Sequence, residues 1–196
     1  MDNSSSGKIQ TTIWHLSMLL APLLLLISQF FWTNGVLTIQ AGWLQVLAFT
    51  FWIPAFQAMY DSMKTQWPRY AAIGFLVAVY ACIGGNNFGV DGIYGEATGV
   101  FDVAAKNVLH QKLGIGGLVA LYLPGILFPL SLISVGVGFI RTKKIDAWVA
   151  AMLIIAAIGF PLSRIPREPL IAHADNVLLL ISHFIIAQRI LRAQKG

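Results

Sequence analysis

Charge is scarce in this chain. Only 11% of its 196 residues are Asp, Glu, Lys or Arg, against roughly a quarter in a typical soluble domain. With 57% hydrophobic residues and a mean hydropathy of +0.74, that shortage excludes a disordered chain, a coiled coil and an ordinary water-soluble domain. Cysteine is nearly absent. Cys82 stands alone, which excludes an intramolecular disulfide and a cysteine-based metal site. There is no Gly-rich phosphate loop, no Ser-His-Asp pattern and no His-Glu-x-x-His, so ATP-driven work by this chain alone is disfavoured. The short alternating segments of a membrane β-barrel are missing too. Leu23 to Ile27 and Val177 to Ile181 are instead unbroken apolar runs.

What is present is apolar sequence in long windows. A helix needs about 20 mostly apolar residues to cross a bilayer. Six windows qualify, at 13–32, 43–63, 69–84, 113–140, 145–163 and 170–190. The expectation is an all-α integral membrane protein, a single transmembrane domain over 1–196 forming a six-helix bundle. The first window has only Lys8 in its basic flank, and no small-x-small cleavage site precedes Gln29. It reads as a retained helix rather than a signal peptide.

Basic residues favour the cytoplasmic side. With the N-terminus inside, Lys8, Lys64, Arg69, Arg141, Lys143, Lys144, Arg189, Arg192 and Lys195 fall on that side, nine in all. Lys106, Lys112, Arg164 and Arg167, four in all, fall outside. The imbalance predicts both termini in the cytoplasm of a cell with this protein in its plasma (inner) membrane. It assigns the net charge of +5 to topology and lipid headgroups rather than to nucleic acid.

Residues 85–112 read as one long outer loop. Gly84, Gly85, Gly89 and Gly92 suggest tight turns. Phe101, Ala104, Ala105 and Val108 recur at helical spacing between Val100 and His110, which predicts a short interfacial helix. The connection Thr33-Asn34-Gly35-Val36 should dip into the outer interface. Pro22, Pro54, Pro124, Pro129 and Pro161 fall inside spans, where they kink helices and free carbonyls. Kinks in four helices point to a central cavity. Glycines and alanines in helices 4 and 5 point to close packing. A faint echo links Leu20-Ala21-Pro22-Leu23 with Leu127-Phe128-Pro129-Leu130, as an inverted repeat would.

Ionisable groups at membrane depth are functional candidates by default. Arg164 and Arg167, outside against the charge rule, could hold a phosphate or carboxylate. With Glu168, His173 and Asp175 they form the leading ligand-binding set. The same residues could simply form a salt-bridge network with the loop acids. A second reading uses the histidines. His15 with His183, and His110 with His173, fall at two depths and could ligate b-type haem. His173 and His183 are ten residues apart, about 15 Å in rise and roughly 80° in rotation, so a shared face is disfavoured. A third reading gathers His110, His173, Asp175, Asp91 and Glu96 around a divalent metal. That metal would be zinc for hydrolysis at the membrane surface, or calcium through oxygen ligands, without EF-hand spacing. Few buried charges argue against an ion-coupled transporter. The balance favours a non-catalytic membrane subunit or a binding protein for a lipid or small apolar or anionic ligand. Its partners would be membrane lipids, other membrane subunits or further copies of itself.

Overall fold

The computed structural model describes residues 3–33, 35–100 and 102–195, with side chains over 7–33, 35–100 and 102–192. Asp2, Asn34, Phe101 and the Lys195 side chain lie outside that description. Among the described residues, six helices are long and apolar enough to cross a membrane: Gly7–Gln29, Ile39–Met63, Pro68–Ala97, Ile115–Thr142, Ala147–Arg164 and Pro169–Arg192. The chain is a polytopic α-helical membrane protein.

Helix α1 (Asn3–Gln29) leads into a two-residue antiparallel pair, β1 (Trp32–Thr33) with β2 (Val36–Leu37). Thr38 caps α2 (Ile39–Met63), its side chain accepting from the Ala41 N–H, the usual way to satisfy a first-turn donor. Helix α3 (Pro68–Ala97) starts on proline, which already has the helical φ and lacks the N–H that would be unpaired there. Helix α4 (Val103–Lys112) is capped by Asp102. A short turn α5 (Ile115–Gly117) and a π-helical turn (Leu118–Tyr122) continue into α6 (Leu123–Thr142). Helices α7 (Ala147–Arg164) and α8 (Pro169–Lys195) complete the bundle.

The largest departure from expectation is at 85–97. This stretch is not loop. It continues α3 for three more turns, so the connection to the fourth span shrinks to the segment around α4. The glycines serve packing rather than turning. Gly85, Gly89 and Gly92 recur on one buried face, and a Cβ on Gly42 of α2 would sit 2.5 Å from the Gly89 carbonyl oxygen. One on Gly85 would lie 2.3 Å from the Phe49 ring. Without Cβ atoms the two backbones approach closely, which is how membrane helices gain dispersion energy when lipid removes the hydrophobic drive between them. A short helix is present there, running Val103–Lys112 rather than from Val100.

Prolines 22, 54, 129 and 161 lie inside helices, and Pro124 sits in the first turn of α6. The expected central cavity is occupied by rings. Trp52 packs against Phe56 at 5.5 Å, Phe128 at 5.1 Å and His183 at 4.7 Å between centroids. Trp52, Phe56 and His183 are fully buried.

Candidate functional site

The helix ends define two polar layers. At the hairpin end, the β1–β2 pair meets the end of α3, helix α4, the π turn and the α7–α8 connection. At the turn end lie the α2–α3 and α6–α7 connections.

Helix α7 delivers Ser163 and Arg164 to the hairpin end, and the first turns of α8 deliver Asp175 and Asn176. Arg164 Nη1 donates to both Asp175 carboxylate oxygens, at 3.0 and 2.7 Å. The Ser163 hydroxyl donates to the same carboxylate at 2.8 Å, and Arg164 Nη2 donates to Asn176 Oδ1 at 3.2 Å. The guanidinium also lies 4.1 Å over the Phe160 ring and 5.8 Å from Trp32, both contacts favourable for a cation. Gly159 lets α8 approach, since a Cβ there would lie 2.9 Å from that of Asp175. Arg164 is thus committed to an internal partner.

Asp91 anchors a second group. Lys106 Nζ donates to its carboxylate at 2.6 Å and to its backbone carbonyl at 2.8 Å. Gly95 leaves room for that ammonium, which a Cβ would meet at 2.6 Å. His110 Nε2 lies 3.3 Å from the other Asp91 oxygen, and its Nδ1 lies 3.1 Å from the Tyr122 hydroxyl. The tautomer consistent with both bonds has Nε2–H donating to the carboxylate and Nδ1 accepting from the phenol. Tyr122 ends the π turn. The Ala120 and Val119 carbonyls of that widened turn accept from Asn87 Nδ2 at 2.8 Å and the Tyr80 hydroxyl at 2.5 Å.

The remaining predicted residues are dispersed. Arg167 donates to the Gly35 carbonyl. Its φ of +63° is uncommon for a residue with a side chain. Burial lowers its guanidinium from the ordinary value, and the Asp91 carboxylate and Tyr122 oppose that shift. Glu96 accepts from the Ile39 N–H at the start of α2. Glu168 is exposed. His173 packs against Phe30 at 4.5 Å. The structure therefore unites Arg164 with Asp175 and Asp91 with His110. It does not gather the five proposed metal ligands, and among the described residues no group of three or more His, Cys, Asp or Glu side chains could hold a metal.

The haem reading meets a packing obstacle. His183 Nδ1 donates to the Leu179 carbonyl at 2.8 Å, and its ring stands edge-on to Trp52 in the filled core. A haem face at His183 would have to displace that indole. His15 lies on α1 one turn below the buried Met18.

The open space is elsewhere. A groove of about 280 Å³ runs between α2, α3 and α6, lined by Ile73, Val77 and Leu130 with Tyr60, Tyr70, Gly74, Ser131 and Ser134. Tyr70 donates to the Ser134 carbonyl at 2.6 Å, and Tyr60 bonds Ser134 Oγ at 3.3 Å, so the floor's hydroxyls are paired and the walls are apolar. Gly74 creates the space for Tyr60, whose ring a Cβ would meet at 2.4 Å. Nothing in the charge pattern marked this face. Gly74 is one of several glycines in α3, so nothing in the sequence singled it out. No protein-family model, curated protein or solved structure matches the chain.

Proposed function

We propose that this protein is a non-catalytic, membrane-embedded binding protein or subunit that holds a lipid or a comparable apolar molecule. The groove between α2, α3 and α6 carries the reading. Its walls are apolar, it opens on the lipid-facing side of the bundle, and its polar floor is satisfied internally. An acyl chain laid there loses no hydrogen bond and gains wall contacts. The hairpin end supports a non-catalytic role, because Arg164 and Lys106 are spent on carboxylates of the same chain. The two polar clusters there act as clasps. Nine cations at the turn end against four at the hairpin end favour the turn end, with both termini, facing the cytoplasm of a plasma membrane.

A photoactivatable diazirine fatty acid tests this reading in liposomes. Crosslinks mapped by peptide mass spectrometry should concentrate on Ile73, Val77 and Leu130. Even labelling around all lipid-facing helices would contradict a specific groove.

A further inference from the structure

The other flank of α3 carries a second, separate recess. At the turn end, a cleft of about 580 Å³ opens between the end of α2 and the start of α3. It shares only the buried Tyr60 with the groove. Gln57, Asp61 and Lys64 line it from α2 at i, i+4 and i+7, the spacing of one helix face. Thr65 follows in the turn, and Ala71, Ala72 and Phe75 form the α3 wall. We infer that this cleft holds the headgroup of a zwitterionic phospholipid with a primary ammonium, a phosphoethanolamine. The site stands apart from the groove and does not depend on what the groove holds.

Charge and hydrogen-bonding capacity select the class. Asp61 and Lys64 are the charged residues of the lining, so its charge sums to zero. They meet at 2.5 Å through Asp61 Oδ1, which leaves Oδ2 open. A headgroup laid antiparallel to this pair sets its ammonium on Asp61 and its phosphate on Lys64. Among the described residues, neither the Gln57 amide nor the Thr65 hydroxyl has a hydrogen-bond partner. Gln57 is half-buried and lies more than one turn inside the α2 span, where an unpaired amide is costly. Asp61 Oδ2, Gln57 Oε1 and the Thr65 hydroxyl oxygen thus present three acceptors to the three N–H donors of a primary ammonium. Gln57 Nε2 remains to donate to the phosphate. A choline headgroup has no N–H for these acceptors. A glycerol headgroup brings no cation to Asp61.

The Asp61 and Lys64 side chains are 33% and 59% exposed, so this lipid exchanges into detergent and is tested by adding it back. Wild type and Val77→Trp, whose indole fills the separate groove, are titrated with phosphatidylethanolamine, phosphatidylcholine and phosphatidylglycerol of matched chains. Native mass spectrometry counts the bound lipid. Both proteins should bind phosphatidylethanolamine about tenfold more tightly than either other lipid, the effect of one hydrogen bond from a charged group. Asp61→Asn should abolish the preference over phosphatidylcholine, and Gln57→Leu should lower it about threefold. Lys64→Gln should weaken both of those lipids by a similar factor, since both carry the phosphate. None of these three side chains is fully buried, so the fold survives each change. Equal affinities, or a preference for phosphatidylglycerol, would overturn the assignment. A preference unchanged by Asp61→Asn and Gln57→Leu, or lost in folded Val77→Trp, would overturn its placement in this cleft. Glycerophosphoethanolamine competing at the lipid's own concentration would make the ligand a soluble zwitterion and overturn the bilayer source.

Discussion

Replacing Asp175 with Ala should be among the most damaging single changes in this protein. Asp175 is 3% exposed and accepts from Arg164 and Ser163. Its loss strands a guanidinium whose side chain is only 17% exposed. Removing one partner of a buried ion pair costs about 3–5 kcal/mol, mostly from the uncompensated charge. Arg164 keeps Asn176 and the Phe160 face, so the lower end, about 3 kcal/mol, is expected. The double variant Arg164→Met, Asp175→Leu removes both charges and leaves Ser163 its bond to the Phe160 carbonyl. It should recover to within about 1 kcal/mol of wild type, because apolar replacements of a buried pair are often neutral. The assay is reversible unfolding in mixed micelles titrated with SDS, read by tryptophan fluorescence. A single variant costing under about 1 kcal/mol, or a double variant as unstable as the single, would refute the reasoning.

Three further outcomes follow from the geometry. Gly89→Leu should separate α2 from α3 and destabilise by more than about 2 kcal/mol, since even a Cβ there meets the Gly42 carbonyl oxygen at 2.7 Å and overpacking typically costs 1–3 kcal/mol; the same micelle titration reads it. Asp91→Asn removes the carboxylate that holds Lys106 and His110. Amide exchange over 103–112 should then accelerate at least about tenfold, the equivalent of 1.4 kcal/mol, with α6 and α7 unchanged. His183→Phe should shift stability by less than about 1 kcal/mol, because among the described residues His183 Nε2 has no hydrogen-bond partner and an apolar ring avoids that cost. A loss of several kcal/mol, or of a bound chromophore, would return His183 to the haem reading.

Much of the architecture was legible because lipid imposes long apolar runs, and those runs are visible in any window of the chain. The exception, 85–97, shows where that logic runs out. Gly85, Gly89 and Gly92 have the spacing of a helix face, but glycine is equally the residue of turns, and only the opposing Gly42 resolves the ambiguity. The π turn at Leu118 to Tyr122 was not legible: two of its carbonyls, those of Val119 and Ala120, take donors from Tyr80 and Asn87 on another helix, and the Ala120 carbonyl has no N–H to meet at Pro124. At the hairpin end the right residues were visible and their partners were not. His173 and Asp175 could meet on one ion only at a frayed helix start; two residues apart on an intact helix they face different neighbours, Phe30 and Arg164. The groove was invisible for a different reason: it is made of ordinary apolar side chains, and its existence depends on which helices meet.

The claim that this protein carries a lipid in the α2–α3–α6 groove is tested most directly by native mass spectrometry of the gently solubilised chain, alongside Val77→Trp, in which an indole fills the groove. The prediction is a wild-type ion with one retained lipid mass and a folded Val77→Trp protein that has lost it. A wild-type chain arriving bare, or carrying the mass of a haem or a metal instead, would contradict the account.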